Sequence, residues 1–511
     1  MYAARTAAAQ PDKPAIVMVP TGETVTFADY EAAANRIAHL LRAQGLKRGD
    51  HIAILSSNNP AMIEIEGAAE RTGLYFTLIN SYLSAEEVAY IVDNSTAKML
   101  FCSADKLEVA DLAAPSCPGV QRFVVTRSSG DSGRWESLER LVDGYPSTPV
   151  PEERLGAAML YSSGTTGRPK GIFRELPEVD PAEALPVMDF VRHLFGFREG
   201  MTYLNPAPLY HSAPQSSVAA SLRLGATVVV MEHFDAEGWL SAVEKYRVTN
   251  CQMVPTMFTR LLRLPSEVRE RYDLSSLERI VHAAAPCPIP VKQAMIEWLG
   301  PIITEYYGAT EANGFTFCDS EGWLAHPGTV GRAVLGEVVI LDEDGRECPT
   351  GTDGTVWFRG ATNFEYFEDP AKTAESRAED GNMSTVGDIG HLDAEGWLYL
   401  TDRKSYMIIS GGVNIYPQET ENLLSTHPAV GDVAVIGAPD PDMGEKVVAV
   451  VEPAAGYEAS PELAAELIRF SREHLAHFKC PKQVDFVTEL PRLPTGKLYK
   501  RLVRDRYWPK G

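Results

Sequence analysis

Tyr161-Ser162-Ser163-Gly164-Thr165-Thr166-Gly167-Arg168-Pro169-Lys170-Gly171 follows an apolar run over 157–160 and sets the reading of the whole chain. Three glycines free the backbone to turn and let successive N–H groups approach an anion. The hydroxyls of Ser162, Ser163, Thr165 and Thr166 and the ammonium of Lys170 add donors. A polyphosphate calls for this mixture of many short donors and one mobile cation. The spacing does not fit G-x-x-x-x-G-K-[ST], which excludes a P-loop NTPase. Taken alone, a loop of this composition is more often a polar hairpin turn.

The text on either side decides between these. Upstream, the periodicity predicts a helix over 27–44, strands over 51–55, 74–79 and 99–102, and a Ser-capped helix over 84–92. Downstream it predicts strands over 227–231 and 279–283 and helices over 237–245 and 256–264. Alternation of this kind favours parallel sheets covered by helices, so two doubly wound α/β units are expected before residue 320. Short strands over 338–341 and 355–359, split by Asp344-Gly345 and Asp353-Gly354, predict an antiparallel subdomain. Strands over 433–436 and 447–451 and helices over 419–425 and 461–475 predict a small α+β domain after it.

Composition narrows the function. The 511 residues carry 47 Lys+Arg against 69 Asp+Glu, a formal charge of −22, which argues against a general nucleic-acid or anionic-membrane binder. No apolar window is long enough to span a membrane, and residues 1–20 lack the pattern of a signal peptide. The seven cysteines are scattered with no C-x-x-C pair, which predicts a reducing, cytoplasmic location without disulfides or a zinc site.

The loop resembles the signature S-G-T-T-G-x-P-K-G of the ANL adenylate-forming superfamily, which comprises acyl-CoA synthetases, peptide-synthetase adenylation domains and luciferases. Every fixed position is present. In that family the loop holds the β- and γ-phosphates of ATP, which assigns Ser162, Ser163, Gly164, Thr165, Thr166, Gly167 and Lys170 to that role. The other landmarks follow in order. Tyr307-Gly308-Ala309-Thr310-Glu311 resembles the Y-G-x-T-E segment. There Tyr307 offers a flat face for adenine, beside Gly308. Thr310 offers a hydroxyl to the α-phosphate, and Glu311, with Thr166, serves Mg2+. Ala284, Ala285 and Pro286 fall where the family binds adenine. Asp388 and Arg403 resemble the ribose-binding pair. Pro494-Thr495-Gly496-Lys497 resembles the C-terminal loop whose lysine is catalytic. The resemblance covers nearly the whole chain.

It implies a large N-terminal domain, 1–403, of two αβαβα units plus a small β-barrel-like subdomain, and a mobile C-terminal domain, 404–511. It also implies a two-step reaction. Lys497 bridges the substrate carboxylate and the α-phosphate as an acyl-adenylate forms. The C-terminal domain then swings about Ser405, bringing Gly411 and Gly412 to the pantetheine channel of coenzyme A. His211 matches an aromatic-His segment beside the acyl pocket.

Four departures stand out. Val386 replaces a threonine before Gly387-Asp388. Ala283-Ala284-Ala285-Pro286 lacks a glycine often found there. An acidic, Pro-broken loop over 172–186 replaces a helix opening with histidine. Ser405 stands where Asp or Lys is usual.

The expectation is an ATP-, Mg2+- and CoA-dependent acyl-CoA synthetase. The alternatives are an aryl-type ligase, an adenylating enzyme loading a carrier protein, or a degenerate nucleotide-binding relative; nothing selects a luciferase-type oxygenase. The chain runs few residues past Lys497, so no fused carrier is expected. The pocket should draw on 211–221, 253–258, 283–286 and 312–315, where no Lys or Arg awaits a second carboxylate and no Asp an amino group. A hydrophobic monocarboxylic acid, fatty or bulky alicyclic, is favoured over an aromatic one. Partners are small molecules only, and the oligomeric state is open, a homodimer included. Residues 479–511 hold nine basic and three acidic residues, so this tail is +6 and the remainder −28. The acidic total and two polyanionic ligands are thereby compatible.

Overall fold

A computed structural model describes residues 1–162, 168–360, 364–403, 406–492 and 498–508. The expected helices and strands of the first unit appear with boundaries shifted by one or two residues. The helix Phe27–Ala43 opens on a reciprocal capping box of Thr26 and Asp29. The helix Ala85–Asn94 opens on a second, of Ser84 and Glu87. Between them His51–Leu55, Tyr75–Ile79 and Met99–Ser103 form the buried centre of a six-stranded parallel sheet.

A nine-stranded sheet stands beside it. Its centre is parallel: Pro14–Met18, Thr227–Val230, Thr202–Asn205, Asn250–Met253, Arg279–His282 and Ile303–Gly308. Antiparallel strands close both edges: Thr24–Thr26 on one, Phe315–Cys318 and Arg332–Leu335 on the other. Strand Pro14–Met18 is therefore built into the second unit although it opens the chain.

The antiparallel subdomain forms a five-stranded sheet, with Glu337–Leu341, Gly354–Arg359, Asp388–Leu392 and Leu398–Arg403 in order and Met383–Ser384 added. Its seam with the nine-stranded sheet requires a glycine. A Cβ at Gly314 would lie 1.9 Å from the ring of Phe358.

The C-terminal segment centres on a long hairpin, Val430–Asp440 with Gly444–Pro453. Helices Pro417–Leu424 and Pro461–His474 pack against it. It touches the larger part of the chain at two described places. The Asp402 carboxylate accepts the Gln418 amide at 2.8 Å, and Arg263 donates to the Gly431 carbonyl at 2.5 Å. All seven cysteines are free thiols. Among the described residues, no helix is long and apolar enough to cross a membrane.

Candidate active site

Three of the segments singled out by sequence, 307–311, 387–388 and 402–403, meet at the carboxyl end of strand Ile303–Gly308. Tyr307, in its last turn of pleat, donates from its hydroxyl to Asp388 Oδ2 at 2.7 Å. Asp388 and Arg403 are directly opposed across an antiparallel pair. The guanidinium Nε reaches Asp388 Oδ1 at 3.0 Å. Asp388 is only 5% exposed, and each of its oxygens has one partner inside the protein. Burial, reinforced by the Asp388 charge, pushes the Tyr307 hydroxyl pKa far up, and Asp388 raises that of Arg403. Tyr307 thus stays protonated and Arg403 stays charged at neutral pH.

Thr310 and Glu311 lie in the turn that follows, closed by the Ala312 amide donating to the Ala309 carbonyl. Two residues outside the motif fix it. Tyr366 donates its hydroxyl to Glu311 Oε1 at 2.9 Å, and Arg174 donates to the Thr310 carbonyl at 2.5 Å. Neither stood out in the sequence, because nothing in their local text marks them.

Ser162 and Lys170 are paired opposite each other, in strands Tyr161–Ser162 and Lys170–Phe173. The signature loop therefore connects two antiparallel strands. Ser163, Gly164, Thr165, Thr166 and Gly167 lie outside the described residues, as do Ser405 and Lys497. Lys170 Nζ is 5.5 Å from the ring centroid of Tyr366 and 4.0 Å from Asp369. Burial lowers its pKa.

Ala284, Ala285 and Pro286 form the connection from strand Arg279–His282 to helix Ile289–Leu299. Ala284 has φ +74°, a left-handed conformation that favours glycine. Alanine therefore stands at a position whose backbone suits glycine. Beside Val386, the Thr385 hydroxyl accepts the Gly387 amide at 3.0 Å.

The altered loop over 172–186 is anchored on the first unit. Tyr75 donates to the Arg174 carbonyl at 2.7 Å, and Arg48 pairs with Glu178 at 2.9 Å.

His211 stands at the N-terminus of helix Ser212–Arg223, its ring centroid 4.5 Å from that of Tyr210. Of the segments expected to line an acyl pocket, 253–258 turns its large apolar side chains to the core. Met253, Met257 and Phe258 belong to a core shared with Trp239 and Met295. Ser217, Gln252 and Tyr306 instead form a polar chain. The Ser217 hydroxyl donates to Gln252 at 2.6 Å, and Gln252 donates to the Tyr306 hydroxyl at 2.9 Å. Phe315 stacks on Tyr306 with centroids 4.6 Å apart.

Gly411 and Gly412, both at positive φ, make the two-residue turn between Ile408–Ser410 and Val413–Ile415. A Cβ on Gly411 would strike the methyl group of Met443 at 2.4 Å.

A family model described as AMP-binding enzyme matches residues 3–367, and the model of the C-terminal domain of AMP-binding enzymes matches 419–497. The chain belongs to the AMP-binding enzyme family. This AMP-binding enzyme is an adenylate-forming ligase of the acyl-CoA synthetase kind. It is 30% identical to a fatty acid–[acyl-carrier-protein] ligase, ScoC, of Streptomyces coeruleorubidus, over 98% of this chain and 94% of that one. It is 32% identical to a long-chain-fatty-acid–CoA ligase, FadD13, of Mycobacterium tuberculosis, over 98% and 97%. With a feruloyl-CoA synthase of an Amycolatopsis species the identity is 33%, over 95% and 94%. Among solved structures it superposes on the Bacillus subtilis o-succinylbenzoate CoA synthetase in complex with its acyl-adenylate. That match has a TM-score of 0.80 and 27% identity over 99% and 98% of the two chains. The acids in these names differ in size and polarity, and the acceptor is a carrier protein in one and CoA in the others, so the acyl group stays open.

Proposed function

We propose that the chain couples a carboxylic acid to coenzyme A at the expense of ATP, through an acyl-adenylate, with AMP and diphosphate as products. The observation that carries this reading is the cluster at the end of strand Ile303–Gly308. There the Tyr307–Asp388–Arg403 set lies beside the Thr310–Glu311 turn.

On this reading Asp388 receives the ribose hydroxyls and Arg403 holds that carboxylate in place. Tyr307 supports adenine together with the 284–286 connection, and Ser162, Lys170 and the loop between them take the β- and γ-phosphates. The acid's carboxylate attacks the α-phosphorus, the bond to diphosphate breaks, and Lys497 offsets the charge passing between them. Losing one such donor typically costs about 10²–10³ in rate.

Mg2+ fits the residues present. Tyr366 occupies one oxygen of Glu311, which is 8% exposed, and the other oxygen can face a cation. Among the described residues no three His, Cys, Asp or Glu side chains gather as a metal cage. Mg2+ normally takes one or two carboxylates with phosphate oxygens and water. Bound there by Glu311 and Thr166, it would neutralise charge on the departing diphosphate.

In the second step the C-terminal domain, 404–511, turns about Ser405. The thiol of CoA then attacks the adenylate carbonyl and AMP leaves. The acyl group is read as a hydrophobic monocarboxylate, fatty or alicyclic, supported by the apolar residues around Phe315 and Phe190, whose rings lie 4.8 Å apart. The kinship with ScoC favours one second reading, transfer to a carrier protein. A cytoplasmic location is supported by the free thiols.

The test is diphosphate release over a panel of fatty, alicyclic and aromatic acids, with and without CoA. Turnover that rises with CoA for the aliphatic acids is expected. Release indifferent to CoA but sustained by an acyl-carrier protein would replace the lead reading with the second. No release with any acid would sink both.

A further inference from the structure

The departure after Gly171 leaves a cation where the sequence analysis assigned none. Strand alternation puts residues 170, 172 and 174 on one side and 171 and 173 on the other, and the contacts agree. Lys170 and Ile172 lie against Tyr366, whereas Gly171 and Phe173 face Phe367. Continuing one residue past the strand, the Arg174 side chain runs to the Thr310–Glu311 turn and donates to the Thr310 carbonyl.

Its backbone is fixed by the Tyr75 hydroxyl, so the guanidinium is presented from a held position. A guanidinium carries five donors. Among the described residues, this one meets no carboxylate within 4.0 Å; the neighbouring Glu311 is turned to Tyr366. Burial lowers its pKa, and the opposing attraction of Glu311 does not make up the difference. A half-buried cation with a neutral carbonyl as its bonded partner is incomplete until an anion arrives. Lys170 and Arg174 are four residues apart on one side, about 13 Å of extended backbone. This side of the segment thus carries a cation at each end.

We propose that Arg174 binds the nucleotide's phosphate at the Thr310–Glu311 end of the site. It takes the α-phosphate of ATP and then the phosphate of the acyl-adenylate, while Lys170 serves the other end. This rests on the adenylate-forming reading above and adds to it a phosphate ligand outside the signature loop. The planar fork matches two phosphate oxygens at once.

The test compares adenosine and AMP binding to the full chain, by calorimetry, for the parent, Arg174→Met and Arg174→Lys. Arg174→Met should weaken AMP about tenfold or more, the scale of one lost charge-assisted hydrogen bond. It should leave adenosine unchanged, and Arg174→Lys should recover part of the loss. Retained adenosine binding also reports that the variant is folded. Equal weakening of adenosine and AMP would reduce Arg174 to a brace for the turn and overturn the proposal, as would unchanged AMP binding. If the parent itself binds no AMP, the adenylate-forming reading fails and takes this proposal with it. A parent that binds AMP while the variants show no phosphate-specific loss sinks this proposal alone.

Discussion

At the residue scale, two side chains sit where their chemistry is costly. Ala284 holds a left-handed backbone at φ +74° in the connection assigned to adenine. A Cβ in that region costs about 1–2 kcal/mol, and glycine's extra freedom in the unfolded chain returns about half of that. Ala284→Gly should therefore hold or slightly raise the urea midpoint, while Ala284→Val should lower it clearly. Equal midpoints for the two variants would show that the loop tolerates any residue there.

Glu66 is fully buried on helix Pro60–Arg71, with Gln215 donating to one oxygen at 3.0 Å. The other oxygen has no hydrogen-bond partner among the described residues. Burial raises its pKa from 4.5 to about 8. The folded state thus keeps a proton that the unfolded chain gives up, and stability falls as pH rises through that window. Glu66→Gln does not titrate. Its stability relative to the parent should improve between pH 5 and pH 8, by on the order of 1–3 kcal/mol, each pK unit being about 1.4. A constant difference between the two pH values would mean that the carboxyl is solvated after all.

At the scale of elements, the strands that carry the site were legible and their supports were not. Strand ends such as Tyr307-Gly308 and pairs such as Gly387-Asp388 are readable because their residue types are tied to local backbone and to a definite chemistry. Tyr366 and Arg174 act across 55 and 136 positions of sequence, so no local pattern reveals them. For the same reason strand Pro14–Met18 escaped notice: its partner Thr227–Val230 lies in the second α/β unit, far along the chain. The C-terminal hairpin was read as two short strands, because Gly437, Pro439 and Asp440 interrupt the apolar pattern that register nevertheless continues.

The Tyr366 contact gives an element-scale prediction. Tyr366→Phe frees the second Glu311 oxygen, so the Mg2+ concentration giving half-maximal diphosphate release should change several-fold with little effect on KM for the acid. An unchanged Mg2+ dependence would detach Glu311 from the metal.

At the scale of the whole molecule, the reading divides the work between a large body and a C-terminal part that supplies its cation for one step only. Lys497→Ala should suppress acyl-adenylate formation by about 10²-fold or more. It should still make thioester when acyl-AMP and CoA are supplied. Equal loss in the two half-reactions would argue against any exchange of position between the steps.

The strand Leu398–Arg403 ends on two charged residues that face opposite ways. Arg403 turns to Asp388. Asp402 accepts the amide of Gln418, in the first turn of helix Pro417–Leu424, whose own N-cap Tyr416 offers no side-chain bond. The helix therefore wears a borrowed cap, of a kind ordinarily contributing about 0.5–2 kcal/mol. Any fragment excised at residue 404 leaves that carboxylate behind and should melt below its potential. Replacing Tyr416→Asp would give the severed piece a cap of its own and should raise its melting point. The same substitution in the intact chain would add a second acid beside Asp402 and loosen the joint. One residue change should thus stabilise the part and unsettle the whole, which makes the junction a poor place to cut and a good place to tune.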